Sequence, residues 1–338
     1  MRYISLGNTG LKVSRTSFGA LPIQRCSNEE STRILRRAYD AGINFYDTAK
    51  AYTDSEYKIG EALSDVRDKI IIATKSFDKT RDEIIKSIDS SLKSLKTDYI
   101  DLFQFHNHYP SEEEIDTIKD EIKKGKVLHM GLTLHMRNEA FDAVRSGLFE
   151  TLQFPFSSLS DETDEKLVRE CKEAGVGFIA MKALSGGLMR NIEANFAFIN
   201  SFGNIVPIYG IQKMEELEEF IALEEKDPKM TSEFEEAIAK EKKELEGRFC
   251  RGCGYCMPCP VEIPLFLACR MDLFLTRSPG GDMISKEMQE KMERITECTN
   301  CKACAEKCPY GIEPYNLIPD QLKFYREFVK EHANEIES

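Results

Sequence analysis

The chain has 338 residues, 41% of them hydrophobic and 31% charged, and a formal net charge of −12 at pH 7. This length predicts one large domain and a small one, and the composition is that of a soluble globular protein. The acidic balance and the lack of a basic patch argue against nucleic acid as a partner. The opening residues, MRYISLGNTG, hold no apolar signal region, and no run is long and apolar enough to span a membrane. We therefore expect a reducing, cytoplasmic setting and no membrane partner.

The first two thirds of the chain alternate between strand-like and helix-like segments. A hairpin is predicted where residues 2–5 and 11–13 flank Gly7-Asn8-Thr9-Gly10. Apolar, strand-like runs follow at residues 16–20, 43–47, 69–75, 99–106, 127–133, 150–154, 177–182 and 204–210. Amphipathic helical stretches alternate with them at residues 29–41, 56–64, 81–95, 111–124, 138–146, 161–174 and 213–223. This order predicts an α/β fold of the (β/α)8 TIM-barrel type. A doubly wound open sheet is the alternative, but the chain lacks the Gly-rich turn that usually follows its first strand.

Four polar side chains are predicted to meet at one rim of this barrel. Asp47, Lys75 and His106 end the second, third and fourth strands, and Tyr52 follows in the loop after Asp47. Barrel enzymes carry their catalytic groups at the C-terminal ends of the strands. Taken singly, these residues are explained by surface packing, an ion pair or a structural histidine. Their convergence makes them the candidate catalytic set.

A connecting helix and a second domain follow the barrel. Asp227-Pro228 interrupts the helical pattern, and residues 231–248 resume it with many Glu and Lys residues, as in a solvated helix. Near the end of the chain, residues 314–319 are predicted as a turn and 321–334 as a closing helix. The predicted division is a barrel over residues 1–228, a connecting helix over 229–248 and a cysteine-rich domain over 249–338.

Eight of the eleven cysteines fall into two runs in the last third of the chain. The runs are Cys250-x2-Cys253-x2-Cys256-x2-Cys259-Pro260 and Cys298-x2-Cys301-x2-Cys304-x3-Cys308-Pro309. In such runs three thiolates curl around one [4Fe-4S] cluster, and the last cysteine, before proline, ligates the other cluster. The expected sets are Cys250, Cys253, Cys256 and Cys308 for one cluster and Cys298, Cys301, Cys304 and Cys259 for the other. The short spacing before Cys259 leaves the exchange of fourth ligands open there.

Zinc and disulfides are the alternatives for these cysteines. Zinc sites usually take pairs of cysteines, and disulfides require an exported chain. Two four-cysteine runs that both end in Cys-Pro favour two [4Fe-4S] clusters as cofactors. Cys269 is predicted to be a core thiol, and Cys26 and Cys171 to be ordinary thiols of the first domain.

The first part of the chain resembles the aldo-keto reductases. The similarity covers about residues 1–223 and is carried by the motifs Gly42-Ile43-Asn44-Phe45-Tyr46-Asp47-Thr48-Ala49, Tyr52, Gly60-Glu61-Ala62-Leu63, Ala73-Thr74-Lys75, Asp98-Tyr99-Ile100-Asp101 and His106. The segment Cys253-Gly254-Tyr255-Cys256-Met257-Pro258-Cys259-Pro260 resembles the ferredoxin-like extension of one branch of that family. The resemblance implies a TIM barrel followed by a small ferredoxin-like iron-sulfur domain.

The resemblance also implies a role for each rim residue. Tyr52 would be the general acid in carbonyl reduction, or the general base in alcohol oxidation. Lys75 would lower the pKa of Tyr52 from its usual value of about 10, and Asp47 would keep Lys75 in place and charged. His106 would orient or polarise the substrate oxygen.

Several positions would hold a nicotinamide cofactor if the resemblance extended to it. Thr133 and Gln153 can contact the carboxamide of the nicotinamide. Ser185 and Gly186, in the loop after the seventh strand, are small enough for a pyrophosphate to approach. Gly210, at the end of the eighth strand, begins the segment expected near the adenosine 2′-phosphate.

Three further positions depart from the pattern that the resemblance implies. Leu134 cannot form a hydrogen bond with the carboxamide. Glu216 and Phe220 stand where an arginine and an asparagine would contact the adenosine 2′-phosphate, and only Lys213 is basic there. The carboxylate of Glu216 would repel that phosphate. NAD(P)H is therefore a doubtful cofactor.

Together these features predict an iron-sulfur oxidoreductase of aldo-keto reductase type that interconverts a small-molecule carbonyl and an alcohol. The two clusters would pass the electrons, and a redox partner protein is left open. An NAD(P)H-dependent reductase with structural clusters is the first alternative. A non-catalytic electron carrier or redox sensor is the second, and the intact set of four rim residues argues against it.

Overall fold

The computed structural model describes residues 1–185, 189–245, 249–277 and 281–332. Within them the strands are β1 (Tyr3–Ser5), β2 (Lys12–Ser14), β3 (Ser17–Gly19), β4 (Phe45–Asp47), β5 (Ile71–Ser76), β6 (Ile100–His106), β7 (Val127–Thr133), β8 (Thr151–Pro155), β9 (Gly177–Met181) and β10 (Ile205–Gly210). The α-helices are α1 (Asn28–Asp40), α2 (Ser55–Leu63), α3 (Arg81–Leu95), α4 (Glu112–Lys123), α5 (Arg137–Ser146), α6 (Glu162–Ala174), α7 (Ile192–Ser201), α8 (Met214–Lys226), α9 (Ser232–Leu245), α10 (Leu265–Ala268), α11 (Met271–Arg277), α12 (Lys286–Glu293), α13 (Ala303–Glu306) and α14 (Pro314–Glu331).

Strands β3 to β10 form a closed, parallel barrel in which β10 pairs with β3. This closure confirms the predicted (β/α)8 barrel, and the alternative of an open, doubly wound sheet is wrong. The predicted hairpin is confirmed as well, because β1 and β2 pair antiparallel outside the barrel sheet.

The inside of the barrel is built in layers along the strands. One apolar cluster contains the inward-pointing strand residues Phe45, Ala73, Leu102 and Ile179. Leu6, which follows β1, and Val13, which lies in β2, pack against them. Side chains alternate between the two faces of a strand, so the residues two positions further on point inward as well. Those residues include Asp47, Lys75 and Gln104. A polar layer therefore lies directly above the apolar one, at the C-terminal ends of the strands.

Helices α1, α3 and α4, which surround the barrel, begin at well-formed caps. Ser27, Thr80 and Ser111 each accept a backbone N–H three residues ahead, and the glutamate at that position bonds back to the cap. These reciprocal bonds satisfy donors that a helix start leaves free. The outward strand residues, such as Tyr46 and Phe103, pack with the apolar helix faces in the largest core of the protein.

The chain divides into two compact units by its internal contacts. One comprises Met1–Gly186 and Ile192–Glu235, and the other Gly187–Asn191 and Glu236–Ser338. The division falls inside α9, and the predicted boundaries at residues 228 and 248 stay predictions. In the described part of the chain, no helix has the length and apolar character needed to cross a membrane.

Helix α14 corrects one expectation from the sequence. The predicted turn over residues 314–319 is wrong, because the helix starts at Pro314 and continues through Pro319. Proline suits the first helical position, since its missing N–H has no partner there in any case. Pro319 lacks one helix hydrogen bond, but Ile318 and Leu322 beside it are buried in the core of the second unit. That packing offsets the lost bond.

Candidate active site and cysteine sites

The barrel brings the four predicted catalytic residues to one rim. Asp47 is the last residue of β4, Lys75 lies near the end of β5, and His106 ends β6. Tyr52 follows β4 in a tight turn, where its N–H donates to the carbonyl of Ala49 at 3.0 Å. Parallel strands end at the same edge of a barrel, and this places the four side chains together.

Lys75 forms the centre of this group. Its Nζ donates to both carboxylate oxygens of Asp47, at 2.8 and 2.9 Å, and to the carbonyl of Thr48 at 2.7 Å. Three acceptors therefore match the three N–H donors of the ammonium. Burial disfavours the ammonium, but Asp47 and Tyr52 outweigh it and raise the pKa of Lys75. Lys75 therefore stays charged at neutral pH.

Tyr52 lies beside Lys75, with its ring centroid 5.3 Å from Nζ. Burial raises the pKa of Tyr52, Lys75 opposes that effect, and Asp47 adds to it, so that the pKa ends above its usual value. Lys75 acts in the predicted direction, but the predicted net decrease does not occur because burial is stronger. Tyr52 is therefore a neutral phenol at neutral pH and holds a proton that it can donate.

His106 faces Tyr52 across the rim, and the two ring centroids are 6.2 Å apart. On its other side His106 stacks on the half-exposed ring of Phe77, with centroids 3.9 Å apart and planes 11° apart. Burial, with help from Lys75 and His108, lowers the pKa of His106 to about 3. Its Nδ1 is buried and has no hydrogen-bond partner among the described residues. The imidazole is thus neutral and rigidly oriented.

Gln104 belongs to this site, although the sequence analysis did not single it out. Its Nε2 donates to the Oε1 of Gln153 at 2.8 Å and lies 3.5 Å from a carboxylate oxygen of Asp47. Gln153 also hydrogen-bonds Asp47. The available signal was the position of Gln104 two residues before His106, on the same face of the same strand.

Thr133 pairs in register with His106 on one side and with Gln153 on the other. Its Oγ1 is buried and lacks a hydrogen-bond partner within the described residues, and the same holds for the Oε1 of Gln104. Buried polar atoms without partners are uncommon, and here they lie in the polar layer of the barrel. They are free to contact a ligand that enters the rim.

Two of the three predicted small-residue contacts lie within the described structure, in separate loops. Ser185 follows β9 with a positive φ of 53°, and its hydroxyl lies 2.9 Å from that of Ser157. Gly210 ends β10, where an added Cβ would come within 3.0 Å of the ring of Pro22. Gly186 lies outside the described residues.

The start of helix α8 differs from an open phosphate site. Glu216 folds back over this helix start, and its Oε2 accepts the N–H groups of Gln212 at 2.8 Å and of Lys213 at 3.0 Å. Phe220, one turn further along, is buried and stacks on Tyr209 with ring centroids 4.2 Å apart. Leu134 is likewise part of the outer core. Leu134 and Phe220 thus face the protein interior, and Glu216 bonds to the start of its own helix.

The cysteines of the first predicted set lie close to one another in the second unit. The N–H of Gly252 donates to the sulfur of Cys250 at 3.4 Å, so the loop curls around that sulfur. Burial raises the pKa of Cys256 to about 12, and the charges of Cys250, Cys253 and Cys308 add to the shift. Cys308, from the other run, is therefore near the first three, as the exchange of fourth ligands requires.

The second predicted set lines one cavity. Cys259, Cys298, Cys301 and Cys304 all border it, together with Cys256 of the first set. All eleven cysteines are free thiols, so disulfides do not explain the two runs. Among the residues that the structure describes, no group of three or more His, Cys, Asp or Glu side chains is close enough to hold a single metal ion. The preference for clusters over zinc therefore rests on the two four-cysteine runs in the sequence.

The three remaining cysteines, Cys26, Cys171 and Cys269, do not belong to either set. Cys269 is buried in the core of the second unit, where it hydrogen-bonds Cys250. Burial raises the pKa of the Cys171 thiol to about 12. Cys26 donates to the carbonyl of Gln212 at 3.2 Å.

Comparisons with known proteins agree with this division of the chain. A model of the aldo/keto reductase family matches residues 15–198, which is more than half of the chain. A model of the 4Fe-4S dicluster domain matches residues 246–312. The first match contains the four rim residues, and the second contains the eight cysteines of the two runs.

Individual relatives are similar over part of their length. An L-galactose dehydrogenase of Arabidopsis thaliana is 32% identical over 210 residues, which make up 55% of this chain and 66% of that protein. The aldo-keto reductase YhdN of Bacillus subtilis is 31% identical over 212 residues, or 56% of this chain and 64% of that protein. The chain thus spans slightly less than two thirds of the length of these relatives.

A solved structure gives the same architecture. The aldo-keto reductase AKR11C1 from Bacillus halodurans, in its holo form, matches with a TM-score of 0.65 and 21% sequence identity. The match covers 71% of this chain and 96% of that chain. At this identity the match establishes the barrel fold alone.

The buried state of His106 predicts how acid affects the stability of the protein. The folded chain keeps this ring neutral down to a pKa of about 3, whereas the usual pKa of a histidine side chain is 6.5. The stability that depends on the neutral ring is complete above pH 6.5 and is lost as the pH falls from 6.5 toward 3. We expect calorimetric melting temperatures to fall more steeply over this range for the wild type than for His106→Gln.

His332→Gln serves as the control, because it replaces a histidine at the C-terminal end of helix α14, in the other compact unit. It should not flatten the pH dependence. Parallel curves for wild type and His106→Gln would contradict the assigned neutral state of His106.

Proposed function

The chain belongs to the aldo/keto reductase family, and we propose that it interconverts a small-molecule carbonyl and an alcohol at the rim of the barrel. Tyr52 would donate or accept the proton on the substrate oxygen. Electrons would pass through two [4Fe-4S] clusters held by the eight cysteines of the two runs. The observation that carries this proposal is the contact of Tyr52 with the buried Asp47–Lys75 pair, next to a neutral His106.

The proton chemistry follows from the charges at the rim. Reduction of a carbonyl builds negative charge on its oxygen, and that charge needs a proton. Tyr52 carries one at neutral pH, and the ammonium of Lys75 next to it stabilises the phenolate that remains after the transfer. His106, neutral and stacked on Phe77, would hydrogen-bond the substrate oxygen. The reverse sequence would oxidise an alcohol.

The cysteine sets fit iron-sulfur clusters in their chemistry and grouping. When bound, such clusters supply or accept electrons one at a time, with potentials that span roughly −700 to +450 mV across proteins. Reduction of a carbonyl to an alcohol takes two electrons and two protons, and two clusters can hold two electrons. Tyr52 would give the proton that ends on oxygen, and solvent the one that ends on carbon. A separate redox partner would then refill the clusters.

The described residues fit a nicotinamide cofactor poorly. Glu216 occupies the N–H groups at the start of α8, which follows the last strand, where barrel enzymes often bind phosphate. Leu134 and Phe220 are packed in the core, and Gln153 is already bonded to Gln104. We therefore place no step of the reaction on nicotinamide.

One observation favours the alternative of an NAD(P)H-dependent reductase with structural clusters. The Oγ1 of Thr133 and the Oε1 of Gln104 are buried near the rim without partners among the described residues. A carboxamide could satisfy both. The NAD(P)H-dependent reaction and the cluster-driven reaction differ in where the electrons come from, and experiments can distinguish them on that basis.

The setting of the protein forms part of the proposal. Eleven free thiols, eight of them in the two candidate cluster sets, fit a reducing compartment such as the cytoplasm.

Tyr52→Phe should lower the rate of carbonyl reduction by about 10²–10⁴-fold, because that is the usual contribution of general acid–base catalysis. The apparent affinity for substrate should change much less, since the ring remains. Tyr57→Phe is the matched control, because Tyr57 is 44% exposed on α2. Turnover in Tyr52→Phe equal to that of the control would remove Tyr52 from the mechanism.

Glu216→Ala should increase the affinity for NADPH relative to NADH by roughly tenfold, or about 1.4 kcal/mol. The change removes a negative charge and frees the N–H groups of Gln212 and Lys213 for a 2′-phosphate. Calorimetric titration suits this test because the chain has no tryptophan whose fluorescence could report binding. Glu215→Ala removes an exposed carboxylate from the same helical turn and should leave the ratio unchanged. Equal effects of both variants would mean that general charge, rather than the occupied N–H groups, sets the preference.

Electron supply from the clusters should permit one turnover without any nicotinamide. Protein with measured iron and sulfide is reduced chemically, freed of reductant and mixed anaerobically in D₂O with a carbonyl substrate found by screening. Cluster absorbance should recover as alcohol forms, with one product for every two electrons stored. The product should carry deuterium on its new C–H bond, because that proton comes from solvent.

The NAD(P)H-dependent alternative gives the opposite result. Product would form only with added NAD(P)H, and its new C–H bond would carry the hydride of the cofactor rather than solvent deuterium. Clusters that stay reduced in the presence of substrate would overturn the proposed electron route.

A further inference from the structure

Arg270 is a cation within the cysteine-rich unit that no carboxylate of the described residues pairs with. It lies between α10 and α11, and its Nε is buried without a hydrogen-bond partner in the described structure. Burial lowers the pKa of Arg270, whereas the sulfurs of Cys250, Cys269 and Cys253 raise it. The groups that favour the charged form of this guanidinium are therefore cysteine sulfurs, and Cys250 and Cys253 belong to the first candidate ligand set.

The guanidinium lies directly against the first ligand loop. A Cβ added to Gly252 would come within 2.8 Å of Nη1 and 2.9 Å of Cζ of Arg270. Gly252 stands between Cys250 and Cys253, so only a residue without a side chain lets the cation approach this closely. On its other side the guanidinium lies 4.5 Å from the ring centroid of Phe274. The side chain is thus held between an aromatic ring and the ligand loop.

The described cations beside the second cysteine set are arranged differently. Arg294 forms ion pairs with Glu262 at 2.9 Å and with Glu297 at 3.7 Å. Lys302 lines the cavity of the second set, but it is exposed and its ammonium lies 5.9 Å from the ring of Tyr315. Carboxylates or solvent therefore weaken both charges.

This difference between the cations near the two cysteine sets would change the electron affinity of a bound cluster. A [4Fe-4S] cluster with four thiolates is an anion, and one-electron reduction makes it more negative. A fixed, poorly solvated cation stabilises the reduced form more than the oxidised form, because Coulomb interactions are strong where water is excluded. Net charge and surroundings are known determinants of cluster potentials.

We propose that Arg270 raises the reduction potential of the cluster held by Cys250, Cys253, Cys256 and Cys308 above that of the cluster held by the other set. The two clusters then differ in function: the first retains an electron that the second gives up. This inference rests on the proposed ligand assignment. Its role for Arg270 is to set the electron affinity of the cluster, and it assigns the residue no part in the chemistry at the substrate.

Redox titration of the full-length protein, followed by electron paramagnetic resonance, tests this proposal. In Arg270→Gln one of the two midpoint potentials should fall by at least 59 mV, which corresponds to a tenfold shift of a one-electron equilibrium toward the oxidised cluster. The other potential should stay in place. Arg270→Lys keeps the charge and should show less than half of that fall. Arg294→Gln, the matched control, removes an arginine already paired with carboxylates and should leave both potentials unchanged.

Iron and sulfide content, measured on the same samples, distinguishes an error in the ligand assignment from an error in the role of Arg270. Wild-type protein without eight irons and matching sulfide would overturn the ligand assignment and with it the proposed function. Fully loaded Arg270→Gln with both potentials unchanged would overturn the role of Arg270 alone, as would an equal fall in Arg270→Lys. If Arg270→Gln loses iron, Arg270→Met decides by the same criterion, because its unbranched chain still packs on Phe274.

Discussion

The buried ion pair of Asp47 and Lys75 is the contact on which the catalytic rim depends. Both side chains are almost fully buried, and removal of two charges from water is costly unless their geometry is close to ideal. The barrel provides that geometry by pairing β4 with β5 and by offering the carbonyl of Thr48 as a third acceptor. The apolar layer below excludes water and fixes the height of the pair. The apolar layer thus allows a buried polar layer to form above it at the rim.

The same burial sets the protonation states of the neighbouring side chains. It keeps the proton on Tyr52 and keeps His106 neutral, so the rim holds two uncharged hydrogen-bonding groups beside one balanced ion pair. Because Asp47 already neutralises Lys75, the site carries no excess positive charge that would bind an anion permanently. In the proposed reaction, negative charge that develops on a substrate oxygen would be met by proton transfer from Tyr52. The arrangement suits an uncharged substrate and a transient oxyanion.

The convergence of Asp47, Lys75 and His106 could be predicted because strand ends can be read from apolar runs, and parallel strands bring their ends together. Their role in catalysis stays a prediction. Gln104 was missed because its role depends on the register between β6 and its neighbours, which a single strand does not disclose. The pKa of Tyr52 was expected to fall, since a nearby lysine is visible in sequence, whereas the depth of burial is not. The turn expected at Pro314 was wrong because packing of Ile318 and Leu322 outweighs the usual effect of Pro319.

The two units differ in whether their buried cations have carboxylate partners among the described residues. In the barrel, every charge of the catalytic pair has a permanent partner within the protein. In the cysteine-rich unit, Arg270 has none among the described carboxylates, and several candidate ligand cysteines are part of the apolar core. Metal ligation there would complete both the packing and the charge balance, so folding and cluster binding are coupled. The proposed cluster would supply Arg270 with an anionic partner, whereas Lys75 already has one in Asp47.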